Sequence, residues 1–236
     1  MSDPRKVAVI TGASQGIGAG LVEAFLKKGY RVVGTSRSIK PNGNFDLLAI
    51  AGDIGDPATG ATVIEETLTA FGRIDTLVNN AGIFVASPFT DYTAEQYGKV
   101  VATNLDGFFH ITQAAIKAME AQGFGHVVNI TTTLVDQPTS RVPSVLASLT
   151  KGGIAAATKN LAVEYAARGI RVNAVSPGII KTPMHATETH DFLASLHPVG
   201  RIGEVSDVVD AVLYLEGASF VTGEVLHVDG GQVAGQ

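Results

Sequence analysis

The most constraining stretch of this 236-residue chain is residues 7–35. Val7–Ile10 is a short, mostly β-branched apolar run. Thr11–Gly18 (TGASQGIG) is rich in glycine, and residues 17–28 carry apolar side chains at helical spacing. Gly29 follows as a helix stop, and Arg31–Thr35 reads as a second strand. Strand, glycine turn, helix and strand within so short a span have the size of a right-handed parallel crossover.

The alternation continues down the chain. Leu47–Ile50 reads as a strand, Thr59–Phe71 as a helix stopped by Gly72, and Thr76–Val78 as a strand. Residues 94–121 give one or two helices, His126–Ile130 a strand and 144–167 a long Ala-rich helix. Arg171–Val175, 204–216 and Glu224–Val228 close the series as strand, helix and strand. Continuous apolar strands between helices predict an α/β fold, a doubly wound parallel sheet covered on both faces. No linker or repeat divides it, so residues 1–236 read as one domain. Residues 38–47 (SIKPNGNFDL) contain Pro41 and Gly43, too little for a crossover helix. An irregular loop is expected there.

Composition narrows the function classes. Hydrophobic residues at 45% against 17% charged can fill a core, which excludes a disordered chain. The absence of Cys excludes disulfides, thiolate catalysis and Cys-ligated metal centres. A net charge of −5 argues against a nucleic-acid partner. The apolar run at 7–10 is too short for a signal-peptide core or a membrane span. A cytoplasmic protein with no membrane partner is the expectation.

The glycine loop carries the first chemistry. Gly12, Gly16 and Gly18 fall where a turn must be tight and where backbone must approach a pyrophosphate. The following helix N-terminus offers free N–H groups and a positive dipole end. Ser14, Gln15 and Ile17 share that loop. The spacing differs from G-x-G-x-x-G and lacks the GK[ST] ending of a hydrolase P-loop. An acidic residue ending the second strand would bind a ribose diol and favour NAD. Here that strand ends in Ser36 and Arg37, which suit a 2′-phosphate and favour NADP(H) over NAD(H).

Further motifs follow in order: Asp53-Ile54, NNAG at 79–82, Asn104 in TNLDGFF, VVNIT at 127–131, Lys151 in LTKGG, SPGIIKT at 176–182 and VTGEVLHVDGG at 221–231. Together with TGASQGIG, this series resembles the short-chain dehydrogenase/reductase family over nearly the whole chain. The resemblance implies a Rossmann-like sheet of about seven strands and a nicotinamide cofactor. It places Asp53 and Ile54 at the adenine, and Asn80, Ala81 and Gly82 along the adenosine ribose. Pro177, Gly178, Ile180 and Thr182 fall at the nicotinamide end, and 183–200 becomes a substrate lid. It also implies a homo-oligomer, dimer or tetramer, built on helices 94–121 and 144–167 and the C-terminal strand.

The catalytic pattern departs from that family. Its chemistry uses a Tyr four residues before a Lys, a spacing that puts both on one helix face. Lys151 is present, but the residue four before it is Ala147, and no Tyr occurs between 98 and 164. Thr132 matches the family's Ser position and keeps a hydroxyl. Asn104, Thr132 and Lys151 are therefore the catalytic candidates, with Lys151 also on the cofactor ribose. Ser144, Lys151 through a water, or a His at 185, 190 or 197 offer replacements for the missing proton donor. Two readings follow: an NADP(H)-dependent oxidoreductase acting on a small carbonyl, alcohol or imine with an atypical site, or an impaired NADP(H)-binding protein serving as sensor or partner subunit. A cofactor-retaining lyase or isomerase is a third class.

Overall fold

The computed structural model describes residues 5–184 and 189–235. Seven parallel strands form one sheet: β1 (Val7–Thr11), β2 (Arg31–Ser36), β3 (Leu47–Ala51), β4 (Thr76–Asn79), β5 (Gly125–Ile130), β6 (Ile170–Pro177) and β7 (Val225–Val228). Their spatial order is β3-β2-β1-β4-β5-β6-β7. β1 registers with β2 from Val7 against Arg31 to Thr11 against Thr35, and with β4 from Ala8 against Thr76 to Ile10 against Val78. The order reverses between β1 and β4, and a doubly wound sheet opens a ligand crevice at that switch point.

Strand alternation sends side chains to two cores. Ala8 and Ile10 of β1 pack with Leu21, Val22 and Phe25 of α1 (Gly16–Lys27) and Val208, Val212 and Leu215 of α7 (Val205–Gly217). Val7 and Val9 face the other way. They meet Val63 and Ile64 of α2 (Pro57–Phe71), Ile111, Ala115 and Met119 of α4 (Gly107–Gln122), and Ala162 of α5 (Val145–Tyr165). Both faces are therefore covered, as the unbroken apolar strands require.

The stretch 94–121 resolves into α3 (Ala94–Val101) and α4, joined by a π-helical turn over Ala102–Asp106. A Thr93–Gln96 capping box starts α3. Asp56 caps α2 by accepting from the Ala58 N–H, with Pro57 at the first helical position. The β2–β3 connection is irregular, as Pro41 and Gly43 predict. A short α6 (His190–Ala194) lies within the expected lid; residues 185–188 of that segment fall outside the described residues. Among the described residues no helix is long and apolar enough to cross a membrane.

Candidate active site

A cavity of about 450 Å³ opens at the carboxyl ends of β1, β2, β4, β5 and β6. Its first wall is the glycine loop. Gly12 turns at φ +66°, a left-handed conformation that L side chains rarely adopt. The Gln15 side chain makes no cap hydrogen bond to α1, so the first N–H groups of the helix stay available to an anion. Gly12, Ser14, Gln15, Gly16 and Ile17 all line the cavity. Gly18 does not. A Cβ there would lie 2.1 Å from the Gly12 carbonyl oxygen, so its smallness lets helix and loop backbones meet beneath the wall. That corrects the expectation of a direct contact.

Ser36, Arg37, Asp53 and Ile54 line one end. Arg37 is exposed and no hydrogen bond or ion pair holds it among the described residues. Asp53 Oδ1 accepts the Gly55 N–H at 3.0 Å, which fixes the carboxylate at the rim. The buried hydroxyl of Thr35, beside Ser36, has no partner among the described residues. Asn80, Ala81 and Gly82 form the next stretch of wall. The Asn80 side chain itself ties two loops together, donating to the Thr11 and Gly12 carbonyls at 2.9 and 3.3 Å. Thr11 Oγ1 in turn accepts the N–H groups of Asn80 and Ala81.

Asn104, Thr132 and Lys151 converge on the inner half of the cavity. Asn104 sits in the π-helical turn. Its Nδ2 donates to Ile83 O at 3.1 Å and Thr150 Oγ1 at 3.2 Å, and its Oδ1 accepts the Ile83 N–H at 2.9 Å. Thr132 Oγ1 accepts from the Leu134 N–H at 3.4 Å, a long contact that leaves its own proton free. Lys151 Nζ donates to Ile130 O at 2.7 Å. Burial pushes Lys151 down to about 8, because an ammonium loses water there without gaining a carboxylate. One turn earlier on α5, Ala147 is 6% exposed and lines the same cavity. A second space of about 10 Å³, touching Asn79, Asn104 and Lys151, has the size of one water.

Pro177, Gly178, Ile180 and Thr182 complete the far wall. His197 braces it: Nε2 accepts the Ile179 N–H at 3.0 Å, and Nδ1–H donates to Leu193 O at 3.0 Å. Both ring nitrogens are engaged and His197 is buried, so it is a strut between the wall and α6, unavailable as a mobile acid. Ser144 and His190 do not line the cavity, and His185 lies outside the described residues. Among the described residues no cluster of His, Asp and Glu is arranged to hold a metal. Sequence reasoning missed Leu134, Thr139, Val142 and Gln232, which line the cavity together with Leu193 and Leu196 of the expected lid. Gln232 had one available signal, its place directly after VDGG.

A parallel sheet with a glycine loop at its switch point, and an Asn, a hydroxyl and a Lys gathered beside it, defines a dinucleotide-binding oxidoreductase scaffold. Residues 12–232 match the family described as enoyl-(acyl carrier protein) reductase. The chain is 34% identical to 3-oxoacyl-[acyl-carrier-protein] reductase FabG of Salmonella typhimurium, over 98% of each chain. It is also 34% identical to a tropinone reductase homolog of Arabidopsis thaliana, over 96% of this chain and 91% of that one. Among solved structures, ElxO with NADP bound superposes with a TM-score of 0.92 at 32% identity, covering 98% of this chain and 100% of that one. The 3-ketoacyl-(acyl-carrier-protein) reductase of Brucella melitensis complexed with NADH gives 0.90 at 32% identity, covering 97% and 98%. The chain belongs to the short-chain dehydrogenase/reductase family.

Proposed function

We propose that the protein is an NADP(H)-dependent oxidoreductase that exchanges hydride with a small carbonyl, alcohol or imine and uses Lys151 as its proton source. The nucleotide part rests on the glycine loop, the uncapped start of α1 and the unpaired Arg37. Relatives with NADP and with NADH are both known, so the preference comes from this chain's own residues. Arg37 offers a planar cation to a 2′-phosphate, and no acidic residue of the cavity wall adjoins it in sequence. Ser36 adds a hydroxyl. Asp53 and Ile54 would take the adenine side, the backbone of 80–82 the ribose, and Pro177–Thr182 the nicotinamide.

When bound, NADPH supplies a hydride. The observation that carries the rest is the inner wall, where Lys151 and Thr132 share a cavity with Ala147 in place of a phenol. The Thr132 hydroxyl donates to the carbonyl oxygen and holds it in place. The oxygen also needs a proton. Lys151 carries one at neutral pH and is close to releasing it. Ala147 leaves room above it for a bridging water, and the water-sized space behind it lets the amine be reprotonated. Asn104 keeps the π-helical turn open and so shapes that space. The inner half of the cavity is assigned to a small substrate, beneath the described lid residues Pro183, Met184, Leu193 and Leu196.

The test follows nicotinamide absorbance with NADPH and a panel of aldehydes, ketones and imines. Wild-type turnover that disappears in Lys151→Ala supports this reading. Ala147 also favours a second one, an NADP(H)-binding sensor or partner subunit. NADPH binding without turnover in wild type, with turnover appearing in Ala147→Tyr, would establish that instead. Either way the chain is read as a homo-oligomer.

A further inference from the structure

Gln232 is a cavity-wall amide whose hydrogen bonding is half complete among the described residues. It is 5% exposed and lines the inner half of the cavity. Its backbone is fixed from both sides. Asp229 accepts the N–H groups of Gly231 at 2.9 Å and Val233 at 2.8 Å through its two carboxylate oxygens. The side chain is fixed too. Thr133 Oγ1 donates to Gln232 Oε1 at 3.1 Å, and Thr133 is 1% exposed.

That bond sets which way the amide points. The Thr133 hydroxyl has no other acceptor among the described residues, so its proton goes to the amide oxygen. Turning the amide over would leave that buried proton unpaired, at a cost buried polar groups rarely meet. The –NH2 end is therefore the one turned from Thr133, and it has no acceptor among the described residues. An oriented donor opening on a ligand cavity selects for a ligand acceptor.

From this we infer that Gln232 is a specificity-determining residue: its amide N–H binds a second, uncharged oxygen acceptor of the substrate, next to the carbonyl held at Thr132. Thr132 and Gln232 line the same cavity, and Gln232 is bonded to the residue that follows Thr132. Among the described residues the titratable side chains on the wall are Arg37, Asp53 and Lys151, and the first two belong to the far end. Lys151, the cation of the inner half, is assigned to the reacting oxygen; the donor that Gln232 offers is neutral and suits an ester or amide carbonyl as the second acceptor. The inference rests on the oxidoreductase reading above.

Its test reads binding, so it does not depend on turnover. NADP+ uptake is measured first, in wild type, Gln232→Met and Thr133→Val. Methyl pyruvate, methyl acetoacetate and 2-pentanone are then titrated into each NADP+ complex by calorimetry. Wild type is expected to bind one of the esters at least tenfold more tightly than 2-pentanone. Gln232→Met keeps the volume without the donor and should erase that advantage while leaving 2-pentanone unchanged. Thr133→Val frees the amide to rotate and should reduce the advantage. An advantage that survives Gln232→Met, or equal binding of all three probes to wild type, overturns the assignment while the oxidoreductase reading stands. Failure of wild type to take up NADP+ overturns both.

Discussion

At the scale of single residues, the chemistry turns on two cations. Lys151 is partly buried without a carboxylate beside it, and desolvation lowers its pKa to about 8 from the usual lysine range. The proton-bearing form is the one that can protonate an alkoxide. Reduction should therefore be independent of pH below about 8 and fall as pH rises through it, approaching tenfold per unit. Lys151→Arg keeps its charge across that range and should flatten the profile at a lower rate; kcat/KM between pH 6 and 10 checks this. Arg37 acts at the other end and has no partner to lose. Arg37→Ala should weaken NADPH binding by about 10- to 100-fold, the scale of a charge-assisted hydrogen bond, and leave NADH binding within about twofold. Fluorescence titration with each nucleotide measures the ratio. An equal loss for both would move the 2′-phosphate contact elsewhere.

At the scale of elements, local patterns were legible and long-range contacts were not. The glycine loop and the run of strands fixed β1–α1–β2 to within a residue or two, because turn chemistry and apolar periodicity act over a few positions. Asn104 stood out in the sequence by its motif and lines the cavity, yet the π-helical turn that holds it depends on Ile83 and Thr150, 21 and 46 residues away. The bond between Thr133 and Gln232 spans 99 positions. His197 shows the same limit: read alone it is a lone polar residue in a lid, whereas folding makes it the strut joining β6's exit to α6. Burial lowers its pKa, with the Leu193 carbonyl opposing that effect. Its folded value thus lies below the unfolded one, so the strut contributes fully above about pH 6.5 and weakens as pH falls below it. Protonation would put a hydrogen on Nε2, facing the Ile179 N–H. His197→Leu should cost about 1–3 kcal/mol at pH 7.5 by leaving that N–H unpaired. The gap between wild type and variant should narrow at pH 5. Urea denaturation at the two pH values measures both.

At the scale of the whole molecule, α5 has one more apolar stripe than a single subunit uses. Leu146, Ala147, Thr150, Ile154, Thr158 and Ala162 are buried against the rest of the chain. Val145, Leu149, Gly153, Ala156, Asn160 and Val163 recur at three- and four-residue spacing on another face, and all are exposed. Val163 is 83% exposed and Leu149 54%. Small residues midway along the stripe allow a second helix to come close, and the larger ones at its ends give it apolar area to cover. A two-fold axis would lay the stripe against its own copy, since an isologous interface needs a self-complementary surface. The homo-oligomer implied by family resemblance is thus expected to use this face. Ala156→Glu in wild type would place two like charges against each other across such an axis and crowd the closest approach. Light scattering should then show a smaller assembly, with the circular dichroism of the subunit unchanged. The same change would leave the mass unaltered if the stripe is solvent-facing in solution, because a Glu on an exposed helix position costs well under 1 kcal/mol.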